Sequence, residues 1–405
     1  MPSVTDQDSS VRIRPKEPFN FFHDKRVRSV FYQLLTAAIF GWLVWYLVSN
    51  TAHNLEARDM KTGFGFVNSS AGFDTDFKLI DHQPGVDTYG RIFVIGVLNT
   101  LLVSFFAIIL STMLGFLVGV IRLSPNWLAS KVALAYVEVF RNVPLLIQVV
   151  FWYIGVFSIL PVVKKTIDLS IGAEVVLLNN RGLYLATPIT GSLFWLTTLA
   201  LIVAVIGVYI LRRRAHKLQE QTGKQTKILL PSLALLILLP TLTFVATGMP
   251  LSWDIPTLKG FNFVGGTSVP PSFLALLVAL SIYHAAQIAE AVRAGILSVN
   301  KGQNEAALSI GLKPSRIMSM VVIPQAMPAI VPPMISNWMN TVKNSSLGIA
   351  IGYSEIVSLY MQTTLNNAGH AVEIVGMTMA FYMFVSLTIS YFLNIYNKRV
   401  QLVER

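Results

Sequence analysis

The sequence predicts an all-α integral membrane protein with about eight transmembrane helices. Of its 405 residues, 54% are hydrophobic and 13% are charged, whereas a soluble domain carries roughly 25% charged residues. The apolar residues also stand in long blocks of about 20, which is the length that a helix needs to cross a hydrocarbon core of ~30 Å. The basic residues lie at the edges of these blocks, which indicates membrane topology rather than a nucleic-acid surface.

Eight blocks qualify as spans, and none of them contains Lys or Arg. In chain order they are 30–47, 93–121, 144–163, 192–211, 228–247, 272–291, 317–341 and 372–395. Helix is the expected form of each, because an open segment in lipid must satisfy every backbone N–H and C=O within itself.

The distribution of basic residues predicts that both termini lie in the cytoplasm. With the N-terminus inside, the inner segments hold 22 of the 31 Lys and Arg residues and the outer segments hold 9. Short loops rich in Lys and Arg stay on the cytoplasmic side. We therefore expect an outer loop at 51–91 and an inner turn at 212–227, with further outer segments at 164–191 and 248–271.

The segment 290–324, between the sixth and seventh spans, predicts two short helices with defined ends. Asn300 is a favoured N-cap, and Gln303 is placed to complete a capping-box-like pair. Gly311 stands where a left-handed residue would end the first helix. Pro314 stands where a missing N–H costs nothing, at the start of the second helix.

The same segment resembles the cytoplasmic motif of binding-protein-dependent ABC importer permeases. That motif reads Glu-Ala-Ala, three residues, Gly, nine residues, Ile, one residue and Leu-Pro. Its spacing is met here by Glu305, Ala306, Ala307, Gly311, Val321, Ile323 and Pro324, with Val321 in place of Ile and Ile323 in place of Leu. The resemblance implies that this loop docks into a groove of a separate ATPase subunit, which binds the ATP and Mg²⁺.

Two further stretches resemble the polar amino acid branch of these permeases. Residues 140–148 are similar to its Phe-Arg-Gly-Thr-Pro-Leu-Leu-Val-Gln segment, with Asn142 for Gly and Val143 for Thr. Residues 343–347 are similar to its Lys-Asp-Thr-Ser-Leu segment, with Asn344 for Asp. Arg141 in the first stretch is a candidate for coupling to the ATPase, as is Gln303 in the motif loop, although Arg141 serves equally as a positive-inside anchor.

The resemblance covers roughly 90–160 and 270–400 and implies the type I ABC importer transmembrane fold. Its five-helix core corresponds to the second, third, sixth, seventh and eighth spans, so the first span and the hairpin of the fourth and fifth are additions. Such a chain is most similar to the larger permease of a general L-amino acid importer. The predicted divisions are a cytoplasmic tail (1–29), an added span with a periplasmic segment (30–91), the first core part (92–163), the inserted hairpin (164–270) and the second core part (271–405).

The implied function is import of amino acids across the bacterial inner membrane by alternating access. The implied partners are an ATPase dimer, a second homologous permease and a periplasmic amino acid-binding protein, and no cofactor is bound by this chain. Because no span holds Lys or Arg, a substrate carboxylate must meet helix N-termini, amides or hydroxyls. The candidates are Asn99, Gln148 and Asn340, with Pro328 among the prolines that indicate either irregular backbone beside a watery cavity or a packed kink.

Two other classes of function were weighed against the permease. A secondary amino acid transporter typically carries acidic residues inside its spans, whereas Glu138, Glu290, Glu355 and Glu373 lie at span ends or in loops. A membrane enzyme needs clustered carboxylates or histidines, and the six histidines are scattered. Gly223 and Lys224 lack the glycine-rich loop of a phosphate site, and the absence of cysteine excludes thiolate metal sites.

Overall fold

The computed structural model describes residues 25–57, 61–171, 175–223 and 227–400. Most of the tail predicted over 1–29 lies outside these residues, as does Lys224. The chain divides into two compact units, Met1–Gly63 and Phe64–Arg405. The unit boundary therefore falls inside the segment 30–91 that the sequence suggests as one division.

In the described part of the first unit, residues 25–57 form one long helix, α1 (Lys25–Ala57). Its stretch Val27–Ala57 is long and apolar enough to cross a membrane, and none of that window is buried within the structure. Large side chains such as Phe40 and Trp45 are each 65% exposed. A helix that is apolar on all sides is suited to a surrounding of lipid or of other apolar helices.

The second unit is built on eleven further helices in the described residues. They are α2 (Tyr89–Ile121), α3 (Trp127–Asn142), α4 (Leu145–Val150), α5 (Phe194–Thr222), α6 (Leu229–Ala246), α7 (Pro271–Leu297), α8 (Lys301–Ser309), α9 (Pro314–Ile317), α10 (Ile323–Asn344), α11 (Leu365–Ala368) and α12 (Ala371–Val400). Helices α2 and α7 pack along each other, and α10 packs against both. A Cβ on Gly115 of α2 would lie 2.7 Å from Ile288 of α7, so the glycine lets the two backbones approach closely.

The structure contains seven helices that are long and apolar enough to cross a membrane, counted over the described residues. An eighth crossing requires that α3 and the helical stretch Leu145–Phe157 act as one bent span. Helix in the predicted third span, 144–163, begins directly after the break from α3 but extends only to Phe157, so the prediction is wrong in length. The chain turns by 103° at this break, where Val143 is extended (φ −85°, ψ 127°), because a residue that precedes proline is disfavoured in the helical region.

The hairpin predicted as an insertion consists of α5 and α6, which pack against each other. Helix α5 runs on to Thr222, so the turn predicted over 212–227 is mostly helix. Arg, Lys, Gln and Glu fill this extension, and they are good helix formers. The three arginines at 212–214 therefore lie within a helix rather than in a loop.

The segments on both sides of this hairpin hold short strands, which the all-α prediction did not include. They are β1 (Ile167–Asp168), β2 (Val176–Asn179), β3 (Gly182–Leu185), β4 (Thr187–Thr190), β5 (Leu251–Asp254), β6 (Thr257–Lys259), β7 (Asn262–Val264) and β8 (Thr267–Val269). All pairs are antiparallel, in the orders β1-β2-β3-β8, β4-β5 and β6-β7. Strand β3 pairs with β8 across the hairpin, with Leu183 opposite Val269.

Helix α10 continues through its internal prolines Pro328, Pro332 and Pro333. The suggestion that these prolines mark irregular backbone is therefore wrong at their own positions. The irregular turns lie at the two ends of the helix instead, as a π-helical segment at Met318–Val322 and a 3₁₀ segment at Ser345–Ile351.

Candidate functional site

The loop between α7 and α10, residues 298–322, is folded around the breaks that its sequence predicts. Asn300 caps α8, and its side-chain oxygen accepts a hydrogen bond from the backbone N–H of Gly302 at 2.9 Å. Pro314 is the first residue of α9. Gln303 does not behave as the capping-box pattern predicts, because its side-chain oxygen accepts from the amide of Gln325 at 3.1 Å and so ties α8 to α10.

Gly311 ends α8 in a left-handed backbone conformation, with φ +77°. Its N–H donates to the carbonyl of Leu308 at 2.9 Å, and the N–H of Leu312 donates to the carbonyl of Ala307 at 3.2 Å. These bonds satisfy carbonyls that a helix end leaves open. A Cβ on Gly311 would meet no atom within 4 Å, so the backbone angle alone constrains this position.

The 298–322 loop presents one face outward and buries the other. Glu305 and Ala306 are exposed, together with the apolar side chains of Leu308 and Ile310 at 50% and 75%. Ala307 is buried at 5% exposure, in a core cluster with side chains of α7 and α10. The arrangement offers a partner an apolar surface edged by one carboxylate while holding the loop firmly to the bundle.

A cavity of about 370 Å³ lies at the base of the same loop. It is bordered by Leu297 at the end of α7, by Leu308 and by Met318. Pro324, the last residue of the predicted motif, is exposed at the start of α10. The predicted motif residues thus fall on one protruding unit with a recess beside it.

A cluster of ion pairs connects α2, α3 and α7 near the start of this loop. Glu290 pairs closely with Arg122 and with Arg293, the latter at 2.6 Å, and Arg141 approaches it at 3.8 Å. Glu138 lies 3.9 Å from Arg122. Arg141 thus belongs to a network that joins three helices. The sequence did not predict this linking role. All of these charged residues nevertheless lie at the ends of apolar blocks, on the side of the membrane that the distribution of Lys and Arg assigns to the cytoplasm.

Asn99 and Gln148, two of the predicted path residues, lie in the packed interior. The amide of Asn99 is fully buried and donates to the carbonyls of Phe77 at 2.9 Å and Ser354 at 2.7 Å. The amide of Gln148 donates to the carbonyls of Phe140 and Val143, each at 3.0 Å. The side-chain N–H groups of both residues are therefore bonded to backbone oxygens, and those of Gln148 lie at the bend between α3 and α4.

Asn340 is placed differently, on an exposed face of α10. Ser336, Asn340 and Lys343 are exposed at helical spacing there, and Pro332 and Pro333 continue the same face. Pro328 is half-buried. The amide nitrogen of Asn344 in α10 lies 3.3 Å from Nε2 of the buried His284 in α7, so these two helices also share a polar contact. Polar groups along one face of a helix in an apolar chain indicate contact with water or with another polar surface.

Comparison with known proteins gives three findings. The model of the family described as "Binding-protein-dependent transport system inner membrane component" matches residues 224–401. The general L-amino acid transport system permease protein AapQ of Rhizobium johnstonii is 44% identical over 95% of this chain and 94% of its own length. The putative amino-acid ABC transporter permease protein YhdX of Escherichia coli K12 is also 44% identical, over 95% of this chain and 97% of its own length.

Among solved structures, a crystal structure of an amino acid ABC transporter with histidines covers 77% of this chain and 95% of that chain. It is 21% identical, and the TM-score is 0.46. An inward-facing structure of the methionine ABC transporter MetNI covers 78% of this chain and 98% of that chain, with 15% identity and a TM-score of 0.43.

Proposed function

This chain belongs to the family of binding-protein-dependent transport system inner membrane components, and on that premise we propose that it forms half of the membrane pathway of an ATP-driven importer of L-amino acids. It is a multi-pass transport subunit, not an enzyme. The observation that carries the amino acid assignment is the similarity along almost the whole chain to relatives named for amino acid transport.

The 298–322 loop is the proposed contact with the ATPase subunit. Its exposed Glu305, Leu308 and Ile310 offer an apolar surface with one carboxylate. Gln303 and Ala307 hold the loop against the bundle, so that a movement of the loop is transmitted to α7 and α10. This requires the loop and both termini to face the cytoplasm, as the 22-to-9 division of basic residues supports. ATP and Mg²⁺ are then held by the ATPase subunit.

The exposed polar face of α10 is the proposed wall of the substrate path. Ser336, Asn340 and Lys343 would be costly against lipid tails. We therefore place a second, homologous permease opposite this face, so that the path lies between the two chains. Asn340 supplies an amide there, whereas the side-chain N–H groups of Asn99 and Gln148 are already bonded to backbone carbonyls.

Alternating access follows from these parts. A periplasmic binding protein delivers the amino acid to the outward-open pair of permeases, ATP-driven closure of the ATPase dimer moves the 298–322 loop, and the path reopens inward after hydrolysis.

The test is transport by the assembled complex in proteoliposomes. We expect uptake of labelled L-amino acids that requires ATP inside the ATPase-facing compartment and the binding protein on the other side. A protonophore should leave this uptake unchanged. Uptake that proceeds without ATP and collapses with the protonophore would instead show a secondary transporter.

A further inference from the structure

A groove of about 730 Å³ lies at the opposite end of the bundle from the 298–322 loop. It runs between residues 76–79, the middle of α2, the start of α7 and the paired strands β3 and β8. Its lining includes Asp76, Lys78, Leu102, Phe106, Leu274 and Leu277. The volume is in the range of small-molecule sites, about 300–1,000 Å³. Its charged lining residues lie in 76–79, whereas the lining residues of α2 and α7 are all apolar.

The position of the groove along the helices matches an edge of the hydrocarbon core. Arg122 follows the end of α2 and pairs with Glu290 of α7, so these two residues mark one level of the bundle. A hydrocarbon core of ~30 Å spans about 20 helical residues. Counting 20 residues back along each helix leads to Leu102 on α2 and to the first residues of α7. The apolar part of the groove is then inside the core, and its charged part is outside it.

The groove borders α2, which has an exposed apolar face. This face consists of Leu101, Phe105, Ile109, Met113 and Leu117, which are between 39% and 67% exposed. Phe106, which lines the groove, is itself 44% exposed. The face carries no polar side chain, in contrast to the exposed face of α10. An acyl chain can therefore enter the groove from the surrounding lipid without crossing a polar surface.

The charged residues of the groove can bind a ligand that carries both a positive and a negative group. The ammonium of Lys78 donates to Asp74 at 3.0 Å and to the carbonyl of His82 at 3.2 Å. An ammonium has three donors, so one remains for a phosphate oxygen. Asp76 is exposed beside it and supplies a carboxylate for a cationic group.

We propose that this groove binds one phospholipid with a zwitterionic headgroup, of the phosphatidylethanolamine type. One acyl chain lies between Phe106 and Leu277, the phosphate meets Lys78, and the headgroup ammonium meets Asp76. In the orientation proposed for the chain, this lipid belongs to the outer leaflet. The site is independent of the coupling loop and of the α10 face.

The test is native mass spectrometry of the assembled transporter, titrated with phosphatidylethanolamine or with phosphatidylglycerol. Leu277→Trp should fill the groove and abolish one bound phosphatidylethanolamine per chain. Lys78→Gln should weaken that binding about tenfold, since it removes a charge-assisted hydrogen bond. Leu117→Trp is the matched control, because it adds the same bulk to the apolar face of α2 outside the groove, and it should bind as the wild type does.

Three results would overturn the proposal. The first is undiminished phosphatidylethanolamine binding in Leu277→Trp, at unchanged thermal stability of the complex. The second is equal affinity for both lipids, since phosphatidylglycerol has no ammonium for Asp76. The third uses the absence of cysteine from the sequence. Leu277→Cys is then the single thiol of this chain, and its efficient cross-linking to the second permease would show that a protein surface fills the groove.

Discussion

Replacing Gly311 with valine should weaken ATPase binding to the 298–322 loop by about 5- to 30-fold. The residue has φ +77°, and an L-residue in this region costs roughly 1–2 kcal/mol, which corresponds to that factor in an equilibrium. A Cβ would touch nothing within 4 Å. The cost therefore comes from the backbone conformation alone. The chain avoids this cost by adopting a different conformation at the end of α8. A loop in another shape presents Glu305 and Leu308 at the wrong positions.

Two variants separate this effect from general destabilisation. Gly369, between α11 and α12, has the same φ of +77° and equally open surroundings, so Gly369→Val applies the same strain away from the loop. Gly311→Asn changes the same position, but asparagine tolerates the left-handed region. We expect both to retain the ATPase.

The assay is co-purification of the ATPase, with ATP-dependent amino acid uptake measured at equal membrane level of the chain. Gly311→Val should lose both activities in parallel, and Gly311→Asn should keep most of each. Normal ATPase recovery with Gly311→Val, or an equal loss with Gly369→Val, would refute the reasoning.

Three other substitutions address the rest of the site. Asn99→Leu should lower the melting temperature of the complex, because it leaves the buried carbonyl of Ser354 without its donor, at ~1–3 kcal/mol, whereas the carbonyl of Phe77 keeps the hydroxyl of Thr75. An unchanged melting temperature would contradict this. Asn340→Leu should leave the melting temperature unchanged and raise the KM of uptake, so unaltered kinetics would remove Asn340 from the path. Asp87 accepts the N–H of Gln83 at 2.7 Å, and this bond holds its pKa below the usual 3.8. Its contribution to stability is thus present above pH 3.8 and fades as pH falls through the lowered pKa, and Asp87→Asn should flatten this acid dependence in thermal melts.

Local chain geometry was predictable from the sequence because it depends on single residues. Asn300 as a cap, Gly311 as a left-handed stop and Pro314 as a first helical residue each follow from the backbone preference of one side chain. The length of the third span was overestimated because an apolar block does not show where its helix ends. The pair Val143 and Pro144 did hold the signal of the break.

The polar site residues could not be assigned from the sequence in the same way. A polar side chain in an apolar block either faces water or bonds to a distant backbone group, and only tertiary packing decides between these. Asn99 donates to Ser354, which is 255 residues away in the chain, and Arg122 pairs with Glu290 at a separation of 168 residues. The motif at 305–324 could be recognised because its spacing is local, whereas the ion pairs between α2, α3 and α7 join residues that are far apart in the sequence.

The pairing of β3 with β8 brings together the two points at which the chain leaves and re-enters the core around the α5–α6 hairpin. Leu185 lies opposite Thr267 in this pair, so 81 intervening residues begin and end at neighbouring positions. An insertion whose ends meet leaves the path of the remaining chain undisturbed, which is why such sites tolerate whole added modules. The hairpin could therefore have been acquired, enlarged or exchanged during evolution without a rearrangement of α2, α7 and α10.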